Sequence, residues 1–191
     1  MNIFVLDRDP VKAARMLCDA HVVKMIVESC QLLSTHDRIV NRWDDDSLLY
    51  KPTHQNHPCR VCLYNEANRR WLEHHLNALI FEYWVRFGKR HKCTDLLNKY
   101  WYVADCIHGH LYDTDNYRNT IDSICNKQTL PKCMPDEFKI GGEDMDSVVQ
   151  SYRQYYKQKQ LTMKRFHYTR REMPEWLTIK QKGEKENGKH Q

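Results

Sequence analysis

The sequence predicts a single, compact all-α domain with long loops and a short extended segment at its N-terminus. Two long stretches, residues 20–36 and 58–87, repeat apolar residues at the 3.6-residue period of a helix that buries one side. Residues suited to begin or end a helix stand near their edges, and the chain has no internal repeat. These observations favour a helical core over a sheet.

The first half of the chain contains three of the predicted helices. Asp9 and Pro10 suit the N-cap and first position of a helix that we expect to reach about Cys18. A second helix covers roughly residues 20–36. Residues 43–58 are predicted to be a loop, because three aspartates and two prolines leave little periodicity. A third helix is expected to open near Pro58 and to stop at Gly88.

The second half is predicted to hold two further helices. Thr94 can cap a helix over residues 95–107, and a last helix is expected from about Asp146 to Arg165. A loop with two prolines and two glycines, residues 130–144, lies between them. We expect one domain over residues 1–178, and a disordered tail over 179–191 because this stretch is charged and unpatterned.

Length and composition limit the classes of protein. The 191 residues, 41% of them hydrophobic and 11% aromatic, suit one domain with a real core and exclude a disordered chain. No run approaches the roughly 18 apolar residues of a membrane span, and the first ten residues lack the features of a signal peptide. We therefore expect a soluble, cytoplasmic monomer with no membrane partner.

The eight cysteines are expected to be thiols, because no secretory signal directs the chain to an oxidising compartment. Zinc is the alternative, since His54, His57, Cys59 and Cys62 lie within nine residues. A zinc module needs a second, similarly spaced pair, and the later candidates are scattered: His91, Cys93, Cys106, His108 and His110. We expect no metal and no cofactor, but zinc at His57, Cys59 and Cys62 stays open.

Positive charge is concentrated near the C-terminus. Lys and Arg exceed Asp and Glu by five, and residues 147–171 contain seven cations, five Tyr or Phe residues and no acid. Cations neutralise phosphates and aromatic faces stack on bases, so this window predicts contact with nucleic acid. The alternative is a solvated basic helix whose tyrosines pack on the core.

Three ionisable residues, His21, Lys24 and Glu28, recur along one side of the second predicted helix. With Gln31 they occupy an arc of about 80° at 100° per residue, and apolar residues lie on both sides. An ordinary surface helix has a wide polar face. So narrow a stripe predicts groups that line a cleft, and an i,i+4 pair of Lys24 with Glu28 is the alternative.

The order of these features resembles the pyrimidine-dimer DNA glycosylases of bacteriophages, the endonuclease V type. His21 and Glu28 match the spacing of that family's histidine and catalytic glutamate, residues 56–72 (NHPCRVCLYNEANRRWL) loosely match its next helix, and residues 173–176 (MPEW) resemble its aromatic C-terminal contact region. The resemblance implies a compact all-α domain that binds double-stranded DNA. It also implies a glutamate beside the N-terminal amine and, if the chain is viral, the cytoplasm of a host cell.

The resemblance also implies the chemistry. An N-terminal amine attacks C1′ of the damaged nucleotide to give a Schiff base, and Glu28 assists the proton transfers of base release and strand cleavage. The family removes its initiator methionine, but Asn2 is large enough to keep Met1 here, so the amine is that of Met1, or the role passes to Lys24. His21 would orient Glu28 or touch a phosphate. We expect the Met1 amine within roughly 7 Å of Glu28, about two residue lengths.

The DNA contacts are predicted from the basic window and from the C-terminal aromatic region. The expected residues are Arg153, Lys157, Lys164, Arg165, Arg170, Arg171, Tyr156 and Trp176. Two other functions stay open. One is a non-catalytic protein that binds nucleic acid or a host protein, and the other is a related glycosidase that acts on another base or on a free nucleotide.

Overall fold

The computed structural model describes residues 1–41, 49–96 and 130–178. These residues form the helices α1 Pro10–Arg15, α2 Asp19–Asn41, α3 Pro58–Val61, α4 Glu66–Phe87 and α5 Met145–Thr162. Short 3-10 turns follow at Cys62–Tyr64, Asp136–Phe138 and Glu175–Leu177. The described part of the chain contains no strand, so the all-α prediction is confirmed.

Some predictions lie outside the described residues. Only the first residues of the helix predicted after Thr94 are described, and the tail predicted to be disordered lies beyond residue 178. The domain boundary at residue 178 and the monomeric state stay predictions. Among the helices described, none has the length and apolar character needed to cross a membrane.

The helix boundaries follow capping residues. Asp9 accepts from the N–H groups of Val11 and Lys12, so α1 begins where predicted, although it ends at Arg15 rather than near Cys18. The single helix expected from Pro58 to Gly88 is wrong. Asn65 has an extended backbone, with φ −79° and ψ 118°, and caps a new helix, α4, so the stretch is divided in two.

The core lies where α4 packs against α1 and α2. Trp71 on α4 and Met25 on α2 are fully buried. The N-terminal segment is part of this core, since residues 3–6 are at most 4% exposed. From α5, Tyr152 and Tyr156 add two fully buried rings. The core therefore covers residues at both ends of the described chain.

A buried set of charges fixes the segment after α5. Arg86, fully buried near the end of α4, pairs with Glu82 and with Asp19 at 3.1 Å each. Asp19 also accepts from the N–H of Thr169, and Glu82 from the guanidinium of Arg171. Carboxylates this deeply buried need such partners. The segment after α5 is therefore fastened to the first residue of α2 and to α4.

Candidate active site

The N-terminus of the chain lies against the middle of α2. The backbone N–H of Asn2 donates to Glu28 Oε2 at 2.8 Å. The Asn2 side chain holds this turn, because its oxygen accepts from the N–H groups of Ile3 and Phe4 and its nitrogen donates to the Cys133 carbonyl at 2.7 Å. Phe4 has a positive φ of 45°, and the chain then enters the core. The first two residues are thus held at Glu28.

The α-amine of Met1 stands one residue before this contact. Successive backbone nitrogens are at most about 3.6 Å apart, so with the 2.8 Å bond at Asn2 the amine lies within about 6.4 Å of the Glu28 carboxylate. Burial, and then the positive charge of this amine, lower the pKa of His57, the N-cap of α3. The structure therefore brings the N-terminal amine and Glu28 together.

The ionisable residues on this side of α2 lie in different environments. Lys24 Nζ lies 3.4 Å from Glu28 Oε1, and its side chain is 63% exposed, whereas that of Glu28 is 13% exposed. The i,i+4 pair that the sequence left open is therefore present. It uses one carboxylate oxygen of Glu28, and the other oxygen faces the N-terminal turn.

His21 lies in the core rather than in a cleft. It is 5% exposed, stacks on Phe4 with ring centroids 4.5 Å apart, and shares a 2.9 Å hydrogen bond between its Nδ1 and the Tyr156 hydroxyl. Burial, and then the charges of Lys24 and Lys159, lower its pKa to about 4. A neutral, buried imidazole does not pair with a phosphate, so that expectation for His21 is corrected.

Some of the residues predicted to contact DNA are exposed to solvent, and others interact with other parts of the protein. Lys157, Lys164 and Arg165 are exposed, in and just after the last turns of α5. Arg153 instead donates from Nε to the Leu6 carbonyl at 2.8 Å, and its guanidinium lies 5.1 Å from the ring centroid of Trp176. Trp176 is half-buried against the core. The exposed three can meet a phosphate without breaking a contact of the fold.

The remaining predicted contacts hold the fold. Arg171 donates to both oxygens of Glu82 at 2.8 Å, and Arg170 donates to the Val85 carbonyl at 3.1 Å. Tyr156 is fully buried, and its hydroxyl accepts from the Cys18 N–H at 2.8 Å. A buried ring cannot stack on a base, so the prediction for Tyr156 is corrected. Its packing follows the alternative in which the tyrosines face the core.

Sequence reasoning missed one neighbour of this site. Cys133 reaches Cys59, with the two sulfurs 3.3 Å apart, and also accepts the Asn2 side chain through its carbonyl. The sequence makes His57, Cys59 and Cys62 candidate zinc ligands. No local signal pointed to Cys133, which is 74 residues from Cys59. The six described cysteines are free thiols.

Comparison with known proteins supplies the family. The family model for pyrimidine dimer DNA glycosylase matches residues 1–100, which include the N-terminal turn, His21, Lys24, Glu28 and the start of α3. Neither the curated proteins nor the solved structures give a match. The matched residues make up half of the chain, which therefore belongs to the pyrimidine dimer DNA glycosylase family, a DNA repair family whose partner is DNA.

Proposed function

We propose that this protein excises a pyrimidine dimer from double-stranded DNA by covalent catalysis, with the N-terminal α-amine as nucleophile and Glu28 as the acid and base. One observation carries the proposal: the backbone nitrogen of residue 2 is held 2.8 Å from Glu28 Oε2. An α-amine suits this role, because an amine nitrogen can attack C1′ and then form a Schiff base with it.

The chemistry proceeds in two steps. The neutral amine attacks C1′ as the C1′–N bond to the base breaks, and the carboxylate of Glu28 can take the proton that the attacking nitrogen loses and deliver it to the departing base. The lone pair of the nitrogen then forms an iminium with C1′ as the C1′–O4′ bond of the sugar breaks and O4′ takes up a proton, and the carboxylate of Glu28 removes a proton from C2′. Elimination breaks the C3′–O bond with the phosphate as leaving group. This second step is the AP-lyase reaction, and water finally releases the enzyme.

Lys24 has a supporting role in this proposal. Its ammonium lies 3.4 Å from Glu28 Oε1, so it pairs with the carboxylate and helps to hold it in position. Lys24 is also an alternative nucleophile, since it is 63% exposed and adjoins the same carboxylate. His21 acts indirectly, because its ring packs between Phe4 and Tyr156 and so supports the segment that carries the amine.

The identity of the amine depends on the first residue. With Met1 in place, the nitrogen that touches Glu28 is an amide of Asn2, which is not nucleophilic, and the amine stands one residue farther out. If Met1 were removed, the α-amine of Asn2 itself would lie at Glu28. Asn2 is a large residue that favours retention of Met1, so we assign the nucleophile to Met1.

Lys157, Lys164 and Arg165 are the proposed phosphate contacts, because they are exposed and lie outside the ion pairs of the core. Three phosphate contacts predict that log affinity falls with log salt at a slope of about −2.7. The dimer must also leave the base stack, at a cost of a few kcal/mol that the damaged pair reduces.

The test is reduction of the Schiff base. Borohydride added to the protein with a duplex that carries a cyclobutane pyrimidine dimer, or an abasic site, should trap a protein–DNA adduct, and peptide mapping should find it at Met1. An adduct at Lys24, or at Asn2 in a chain that has lost Met1, would reassign the nucleophile. Base release without an adduct would indicate a hydrolytic glycosylase.

Glu28→Gln supplies the matched comparison. The amide keeps the size of the side chain but cannot carry a proton, so turnover should fall at least about 100-fold while DNA binding is retained. Glu66→Gln removes a carboxylate from an exposed i,i+4 pair with Arg70. This variant should change neither turnover nor DNA binding. Full activity of Glu28→Gln, or no reaction with any damaged DNA, would favour a non-catalytic binding protein. Activity only on another base or a free nucleotide would favour the related glycosidase.

A further inference from the structure

We propose that His57, Cys59 and Cys133 form a zinc site beside the N-terminal turn, with water as the fourth ligand. Each residue offers one ligand atom, and the three atoms lie within 4.8 Å of one another. Within the part of the chain that the structure describes, these residues form the one group of three or more potential ligands this close together.

The donor set suits zinc in kind and in spacing. Thiolate and imidazole ligands select Zn²⁺ over Mg²⁺ or Ca²⁺, which prefer oxygen. The sulfurs of Cys59 and Cys133 are 3.3 Å apart. Two sulfurs bound at about 2.3 Å to a tetrahedral zinc are roughly 3.8 Å apart, so a small outward movement admits the ion. Two cysteines and one histidine leave one position open.

The positions of the three residues are fixed by their elements. His57 is the N-cap of α3, where its Nδ1 accepts from the Cys59 N–H at 3.1 Å. Cys133 lies in the loop before α5, and the Cys133 N–H donates to the Tyr152 hydroxyl at 3.2 Å. A metal at Nδ1 would replace the weak capping bond of His57, and a metal at Nε2 would leave that bond in place.

The two cysteines of the site are hydrogen-bonded to each other. The Cys59 S–H donates to the Cys133 sulfur, and this bond, with Lys139 and the N-terminal amine, lowers the pKa of Cys133. The bond to Cys133, and then burial, raise the pKa of Cys59. Zinc binds cysteine sulfur as thiolate, so its binding releases the protons of both thiols. Two thiolates then balance the charge of the ion.

The site would also support the N-terminal turn. The Cys133 carbonyl accepts the Asn2 side chain at 2.7 Å, and Asn2 in turn contacts Glu28. An ion bound to both α3 and the loop of Cys133 would therefore hold in place the carbonyl that accepts the Asn2 side chain. Metal binding and its effect on stability do not depend on which amine is the nucleophile.

Cobalt is the probe, because a thiolate–Co²⁺ bond gives a charge-transfer band and a tetrahedral site gives intense d–d bands. Full-length protein, reduced and freed of metal by a chelator, should bind one Co²⁺ with the intensity of two thiolates, and one Zn²⁺ should displace it. Zn²⁺ at about 100 times its Kd should raise the Tm by about 5 °C or more.

Variants separate the ligands from other roles. Cys59→Ser and Cys133→Ser should each lower Co²⁺ affinity at least about 100-fold and remove half of the charge-transfer band. His57→Asn keeps a side chain that can cap α3, so a loss of Co²⁺ affinity there reports ligation rather than unfolding. Circular dichroism of each metal-free variant should match that of the parent.

Cys93→Ser is the matched control. His91 and Cys93 repeat the local geometry, with the Cys93 N–H donating to His91 Nδ1 at 3.1 Å, and Cys93 contacts a second thiol, that of Cys30. This variant should bind Co²⁺ as the parent does. The proposal is overturned if the reduced protein gives no charge-transfer band, if Cys93→Ser removes the band, or if Cys59 and Cys133 form a disulfide that a phosphine reductant leaves intact.

Discussion

Arg171→Ala should destabilise the protein while leaving DNA binding intact, although Arg171 lies in the basic window. Arg171 donates two hydrogen bonds of 2.8 Å to Glu82, whose side chain is 1% exposed. These bonds raise the pKa of Arg171 and join the segment after α5 to α4. Arg86 still pairs with Glu82 in the variant, so the carboxylate keeps a partner.

The magnitude follows from these contacts. A hydrogen bond to a charged group contributes about 1.5–3 kcal/mol, and the 30% exposure of the Arg171 side chain reduces this through solvent screening. The free energy of unfolding should therefore fall by about 2–3 kcal/mol for the two bonds together. In a domain of this size the Tm should fall by about 4–12 °C.

Lys157→Ala is the matched comparison, because Lys157 is an exposed cation of the same window. Its unfolding free energy should change by less than about 0.5 kcal/mol, whereas the slope of log affinity against log salt should become shallower by about 0.9. Thermal melts and DNA titrations over a range of salt would measure both quantities. An Arg171→Ala protein that melts like the parent and has a shallower salt slope would refute the assignment of Arg171 to the fold.

Three further predictions concern two buried histidines, Tyr156 and the N-terminal turn. Burial lowers the pKa of His75 and His21 to about 4, so the folded state binds fewer protons than the unfolded one between about pH 4 and 6.5. The free energy of unfolding should therefore decrease as pH falls through this window, by about 3 kcal/mol for each histidine. Urea unfolding at pH 7 and 4.5 would test this, and equal free energies of unfolding would contradict it. Tyr156→Phe leaves the Cys18 N–H without its acceptor and should cost about 1–3 kcal/mol without weakening DNA binding. Asn2→Gln should slow adduct formation at least about tenfold, because the longer side chain cannot close the same turn; an unchanged rate would show that the turn is not needed.

The sequence was sufficient for the elements whose signals are local. The period of apolar residues predicted α2 and the body of α4, Asp9 and Pro10 predicted the start of α1, and Gly88, with φ 64°, ends α4 as expected. These features depend on residues within a few positions of one another, so the order of the chain contains them.

Only the tertiary structure decided what each polar residue does. Lys157 and Arg171 are cations of one window, yet one faces solvent and the other meets Glu82, 89 residues away. In the same way Glu28 meets the N-terminal turn and Cys59 meets Cys133. The residue type of a charged or polar side chain does not tell whether it lies in solvent or in the core. Its role depends on which distant groups folding brings within hydrogen-bonding distance, and local sequence does not contain that information.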